Sequence, residues 1–105
     1  MTPEGIIKKK INKLLDNYGE DMYRYMPVPG GYGTPTVDYL ICFKGCFIAI
    51  EAKRPKGKPT ARQDGTLEAI RAAGGMTFVV NDDQSLETLR MVLDSIVTCG
   101  YRGYP

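Results

Sequence analysis

Apolar residues recur along the chain with two different periods, and each change of period marks an element. From Pro3 to about Asn17, Ile7, Ile11, Leu14 and Leu15, followed by Tyr18, fall at helical spacing. Lys8, Lys9, Lys10 and Lys13 lie mostly off that stripe, Thr2 is placed to cap the helix, and Pro3 suits its first turn. Met22 to Met26 reads as an edge strand. Thr36 to Phe43 and Cys46 to Ala52 are rich in β-branched and aromatic residues, with Lys44-Gly45 between them as a two-residue hairpin turn. A helix is predicted from about Ala61 to Ala73, stopping at Gly74-Gly75, then a short strand from Met76 to Val80. A final amphipathic helix over Ser85 to Val97 buries Leu86, Leu89, Leu93 and Ile96.

The helix between the second hairpin strand and the Met76 strand makes a β-α-β crossover, which requires those two strands to run parallel while the hairpin is antiparallel. The expected fold is therefore α/β, a small mixed sheet flanked by helices in the order α-β-β-β-α-β-α. Two loops interrupt it: Pro27 to Pro35, with Gly30, Gly31 and Gly33, leads into the hairpin, and Arg54 to Pro59 leaves it.

Counting outward from the hairpin turn sets Asp38 directly opposite Glu51, with Lys53 on the same face. One hairpin face carries Val37, Tyr39, Ile41 and Phe43 against Ala52, Ile50, Ile48 and Cys46, a uniform core surface. The other carries Leu40 and Cys42 against Ala49 and Phe47, then changes to Asp38, Glu51 and Lys53. Opposed like charges destabilise a sheet. A divalent cation reverses that sign, and oxygen ligands at this spacing suit Mg²⁺ or Mn²⁺. The competing reading is a sheet-end Asp38 beside a solvated Glu51–Lys53 ion pair. A three-residue loop with a bulge at Gly45 would also shift the pairing by one.

Two helix residues point toward the same patch. Glu4 precedes Ile7 by three and Ile11 by seven, and Gln63 precedes Leu67 by four and Ile70 by seven, so each continues an inward stripe. Glu4 would serve as a metal or water ligand and Gln63 as a water or phosphate positioner. Alternatively, Glu4 complements the helix dipole and Thr60 to Gln63 forms a capping box. Lys53, Arg54, Lys56, Lys58 and Arg62 place five positive charges in ten residues without an acid, a basic loop suited to gripping a DNA backbone. Its competitor is an ordinary solvated loop. Tyr23, Tyr25 and Tyr32 are available either for stacking on exposed bases or for packing.

Composition removes several classes. The 105 residues are expected to form one domain, with ordinary globular values of 43% hydrophobic and 25% charged residues and a formal net charge of +2. No stretch is apolar enough for a membrane span and the N-terminus shows no signal-like run, which predicts a soluble protein of the cytoplasm. Histidine is absent, which excludes histidine-based nucleases, histidine-dependent triads and helical zinc-protease motifs. Cys42, Cys46 and Cys99 lack a CxxC spacing and read as reduced core thiols.

The run Gly33-Thr34-Pro35-Thr36-Val37-Asp38, then Ile50-Glu51-Ala52-Lys53-Arg54-Pro55, then Gln63, Gly74-Gly75 and Val79-Val80, resembles the VRR-NUC branch of the PD-(D/E)XK nuclease superfamily. The resemblance extends from Glu4 to about Ile96, and valine rather than proline precedes Asp38. It implies a restriction-endonuclease-like αβββαβ core with an additional C-terminal helix. It also implies that Asp38, Glu51 and the backbone carbonyl of Ala52 bind Mg²⁺ or Mn²⁺, that Lys53 is the catalytic lysine, and that Glu4 and Gln63 are the family's first-helix acid and second-helix glutamine. Free-standing members of this branch, from bacteria and phage, imply a homodimer that cuts branched DNA such as four-way junctions. The expected activity is thus a metal-dependent, structure-specific endodeoxyribonuclease, with Arg54, Lys56, Lys58 and Arg62 holding DNA. The rival is a DNA-binding module without turnover, using the basic loop 53–62. An interaction protein packing through its C-terminal helix ranks last, because it leaves the acidic patch unexplained.

Overall fold

A computed structural model describes residues 1–27 and 37–99. The Gly30–Gly33 loop, Tyr32, the start of the Thr36 strand and the tail from Gly100 lie outside the described residues.

The elements are α1 (Pro3–Asp16), β1 (Met22–Tyr25), β2 (Tyr39–Phe43), β3 (Cys46–Ala52), α2 (Ala61–Ala72), β4 (Met76–Val80) and α3 (Asp83–Cys99), with a 3-10 turn at Gly19–Asp21. The strands form one sheet in the order β1-β2-β3-β4. β2 runs antiparallel to both of its neighbours, β1 and β3, whereas β3 and β4 are parallel, as the α2 crossover demands. This is the expected α/β core with its additional C-terminal helix.

The hairpin register follows from the turn. Lys44 (φ 49°) and Gly45 (φ 84°) both occupy the left-handed region, the signature of a two-residue type I′ turn, and Phe43 pairs with Cys46. Lysine bears a conformational cost there that the glycine does not. Pairing continues to Tyr39–Ile50, so no bulge intervenes.

The ladder stops at Tyr39 instead of running back into Val37 and Asp38, and the chain bends at Asp38. That bend breaks the expected alternation. Val37 packs with Ala49 and Leu67 under α2, whereas Tyr39, Ile41 and Phe43 pack on the opposite face against α1 and α3. The larger core joins Ile7, Ile11, Leu14 and Leu15 of α1 and Leu89, Leu93 and Ile96 of α3 to that face. Tyr18 closes one end, its ring 5.3 Å edge-on from Phe43 and its hydroxyl donating to Asp94 Oδ1 at 2.7 Å.

α3 begins two residues before the expected Ser85. Asp82 caps it: the Ser85 N–H donates to Asp82 Oδ1 at 2.7 Å, and the Asp82 N–H donates to Ser85 Oγ at 3.1 Å. Ser85 is the returning member of this reciprocal pair, and its N–H together with its hydroxyl, which also donates to Asp82 Oδ1 at 2.7 Å, holds the Asp82 carboxyl below its usual range.

Of the three expected core thiols, only Cys46 packs against the core. Cys42 and Cys99 are exposed and Cys46 is half-buried. The cluster under α2 reaches Leu40, Ala49 and Val79, whereas Tyr23 (71% exposed), Cys42 and Phe47 (47%) form an exposed row across β1, β2 and β3 nearer the hairpin turn. Among the described residues, no helix is long and apolar enough to cross a membrane.

Candidate active site at the open end of the hairpin

Where the β2–β3 ladder ends, side chains take over its hydrogen bonds. The Asp38 N–H donates to Glu51 Oε1 at 3.2 Å, and the Ala52 N–H donates to Asp38 Oδ2 at 2.8 Å. Each carboxylate is thus held by a backbone donor of the opposing strand. This arrangement accounts for the bend: a regular ladder would have set the two charges facing each other with nothing between them.

Glu51 is 1% exposed and is the one buried charged residue among those described. Its second oxygen, Oε2, accepts from Gln63 Nε2 at 2.7 Å and lies 3.2 Å from Lys53 Nζ. Burial pushes its pKa up to about 7, and the Asp38 charge adds to the rise; Lys53 and the Asp38 N–H pull it partly back.

Gln63 caps its helix and reaches the acidic patch at once. Its Oε1 accepts the Thr60 N–H at 2.9 Å while its own N–H donates to Thr60 Oγ1 at 3.2 Å, a complete capping box. That bond fixes the amide's orientation, so the NH₂ group must face Glu51.

Glu4 is half-exposed in the first turn of α1 and does not reach the pair directly. Lys8 stands between: its Nζ lies 3.3 Å from Asp38 Oδ1 and 3.8 Å from Glu4 Oε2. Apolar periodicity places Lys8 with the off-stripe lysines and gives it no part in the patch. The available signal was its i,i+4 spacing from Glu4, which puts the two on one helix face.

A cleft of about 450 Å³, lined by Thr2, Pro3, Glu4, Lys53, Arg54, Gly57 and Lys58, opens beside these groups. Its basic wall is an ordered turn. The Gly57 N–H donates to the Arg54 carbonyl at 2.8 Å, Lys56 adopts φ 66°, and Asn81 at the end of β4 donates to the Gly57 carbonyl at 3.0 Å. Pro55 followed by a positive φ is the pattern of a type II turn. Arg54, Lys56, Lys58 and Arg62 are all exposed, and none has a carboxylate within salt-bridge distance among the described residues. A larger cavity of about 920 Å³ lies between α2 and the hairpin turn, away from the acidic pair, with Arg62, Phe47, Ile70 and Met76 in its lining.

Among the described residues, no three histidine, cysteine, aspartate or glutamate side chains gather as a metal-holding group. Asp38 and Glu51 are a pair. As hard oxygen donors placed close together, one of them buried, they fit a divalent ion completed by backbone carbonyl, water and phosphate. Chemically, the patch offers paired carboxylates, a lysine ammonium, an oriented amide and a basic rim in one place. Comparison with protein-family models gave no match, and comparison with curated proteins gave none.

Proposed function

We propose that the chain is a divalent-metal-dependent endodeoxyribonuclease. The observation that carries this reading is the buried Glu51 opposed by Asp38 with Lys53 Nζ at 3.2 Å. Holding that acid near pH 7 works against the fold, and clusters in which burial and a like charge displace a pKa are characteristic of reaction centres. Asp38, Glu51 and the Ala52 carbonyl would hold Mg²⁺ or Mn²⁺, with Glu4 contributing through water. The bound ion would polarise the phosphate and favour hydroxide at neutral pH.

The protein groups supply the rest. Lys53 orients the attacking water and offsets charge on the phosphate; Gln63 keeps Glu51 aligned. Arg54 and Lys58, which line the cleft, and the exposed Lys56 and Arg62 beyond it grip flanking phosphates. Water oxygen bonds to phosphorus, the P–O bond to the leaving sugar oxygen breaks, and that oxygen takes up a proton. The preferred substrate in this reading is branched DNA, cut by a homodimer whose two-fold axis relates two such sites, as symmetric cleavage of two strands requires.

A second reading has an observation of its own. Lys8 and Lys53 already balance Asp38 and Glu51, and Glu4 reaches them only through Lys8. A charge-balanced cluster beside a basic rim is what a DNA-binding module without turnover would need.

The deciding experiment incubates the protein with labelled four-way junction, flap and duplex DNA in Mg²⁺, Mn²⁺ or EDTA, beside Glu51→Ala. Metal-dependent cutting lost in the variant supports the nuclease. DNA retained in gel shifts without cutting under any metal supports the binding module.

A further inference from the structure

We propose that Lys8 is a resident counter-ion of the acidic pair, which a divalent ion must displace and which therefore sets the ion concentration at which the site fills. The inference rests on the metal-site reading above and adds a residue that reading does not use.

Three observations carry it. The Lys8 ammonium lies 3.3 Å from Asp38 Oδ1 and 3.8 Å from Glu4 Oε2, bridging two of the groups assigned to the ion. Of the four carboxylate oxygens in the pair, the other three accept from donors of the local frame, namely the Ala52 N–H, the Asp38 N–H, and Gln63 with Lys53. Asp38 Oδ1 is engaged only by Lys8 among the described residues, so Lys8 covers the one oxygen most readily opened. Finally, the backbone of Lys8 is pinned. The hydroxyl of Tyr39, a fully buried residue adjacent to Asp38 in the chain, lies 3.2 Å from the Lys8 carbonyl and 3.0 Å from Asn12 Oδ1. Ile7 and Ile11 anchor the same turn in the core. The lysine stem thus starts from a fixed point, while its head, 36% exposed with the rest of its side chain, is free to swing to solvent or to a phosphate.

A site with a built-in monovalent cation stays neutralised before the ion arrives, avoiding bare repulsion between Asp38 and Glu51, but binds the ion more weakly because the ammonium competes. Lys8→Gln removes the competitor and should lower the apparent Kd for Mg²⁺ and Mn²⁺ roughly threefold to tenfold.

The test is thermal unfolding of DNA-free protein titrated with MgCl₂ and with MnCl₂ at fixed ionic strength. Wild type, Lys8→Gln, Lys8→Met, Lys8→Arg and Lys9→Gln are compared, Lys9 being an exposed neighbour on the same helix. Tighter binding in both neutral Lys8 variants, with Lys8→Arg and Lys9→Gln near wild type, supports the proposal. Lys8→Met retains the apolar stem, so a folding defect in Lys8→Gln leaves the measurement intact. Ion binding unchanged or weakened in the neutral Lys8 variants overturns the counter-ion role alone. No ion-induced shift in any of the proteins overturns the metal site itself, and this proposal with it.

Discussion

Gln63 and Glu51 are joined by a 2.7 Å hydrogen bond whose direction is dictated three residues upstream, at Thr60. The cap of α2 and the orientation of the acid are therefore one device. Gln63→Glu keeps an oxygen for the Thr60 N–H but replaces the donor to Glu51 with a carboxylate. At pH 8 it should lower stability by about 1–3 kcal/mol, and the deficit should close near pH 5, where a protonated Glu51 can donate. Urea unfolding at the two pH values checks this; an equal deficit at both would detach Gln63 from Glu51.

The raised pKa of Glu51 has a defined sign for stability. Below its unfolded value of 4.5 the acid is protonated in both states; above about 7 it is charged in both. Between them the folded state binds the extra proton, so this contribution to stability is present at pH 4.5 and is lost as pH rises through 7. Its size is on the order of 3 kcal/mol. In EDTA, Glu51→Gln should remove this portion of the pH dependence between about pH 5 and 8 and leave the variant more stable than wild type at the upper end. Urea unfolding of both proteins across that range checks it.

Lys53→Ala should leave the fold intact, since its 16%-exposed side chain caps a charge and does not fill a core. In the proposed reaction, cleavage should fall by about 10²–10⁴-fold. Because Lys53 lowers the Glu51 pKa, the same change should move that titration further upward. Near-normal turnover in single-turnover assays would remove Lys53 from the mechanism.

Neutralising Arg54, Lys56, Lys58 and Arg62 together should weaken DNA binding uniformly across sequences. The slope of log K against log salt should become shallower by about 0.9 for each duplex phosphate that the variant no longer neutralises. Binding measured over a salt series distinguishes a loop that grips phosphates from a basic turn that plays no part.

Much of this was legible in the chain. Lys44-Gly45 fixed the register, and period-2 alternation through Tyr39–Phe43 and Cys46–Ala52 fixed the sheet faces. The acidic pair and Lys53 followed by counting. Three features escaped, each for a tertiary reason. The bend at Asp38 arises because each carboxylate takes an N–H of the facing strand, a choice invisible to alternation. The partner of Lys8 lies thirty residues away, across the packing of α1 on the sheet. The exposure of Cys42 depends on how far α2 reaches, which helical periodicity does not encode.

The type I′ turn carries a consequence for how this chain tolerates change. Hairpin tips are ordinarily where extra residues do least harm. Here five paired positions, spanning about 14–17 Å, connect Lys44-Gly45 to Asp38 and Glu51, and the turn acts as the zero mark of that ruler. Lys44→Asn, which relieves the left-handed lysine, should stabilise the protein by about 0.5–1 kcal/mol and leave the site untouched. One residue inserted at the same spot would exchange the faces of an entire strand, sending Glu51 toward the α1 core or forcing the sheet to bulge. Length at the tip is thus under tighter constraint than side-chain identity, although the tip touches none of the chemistry.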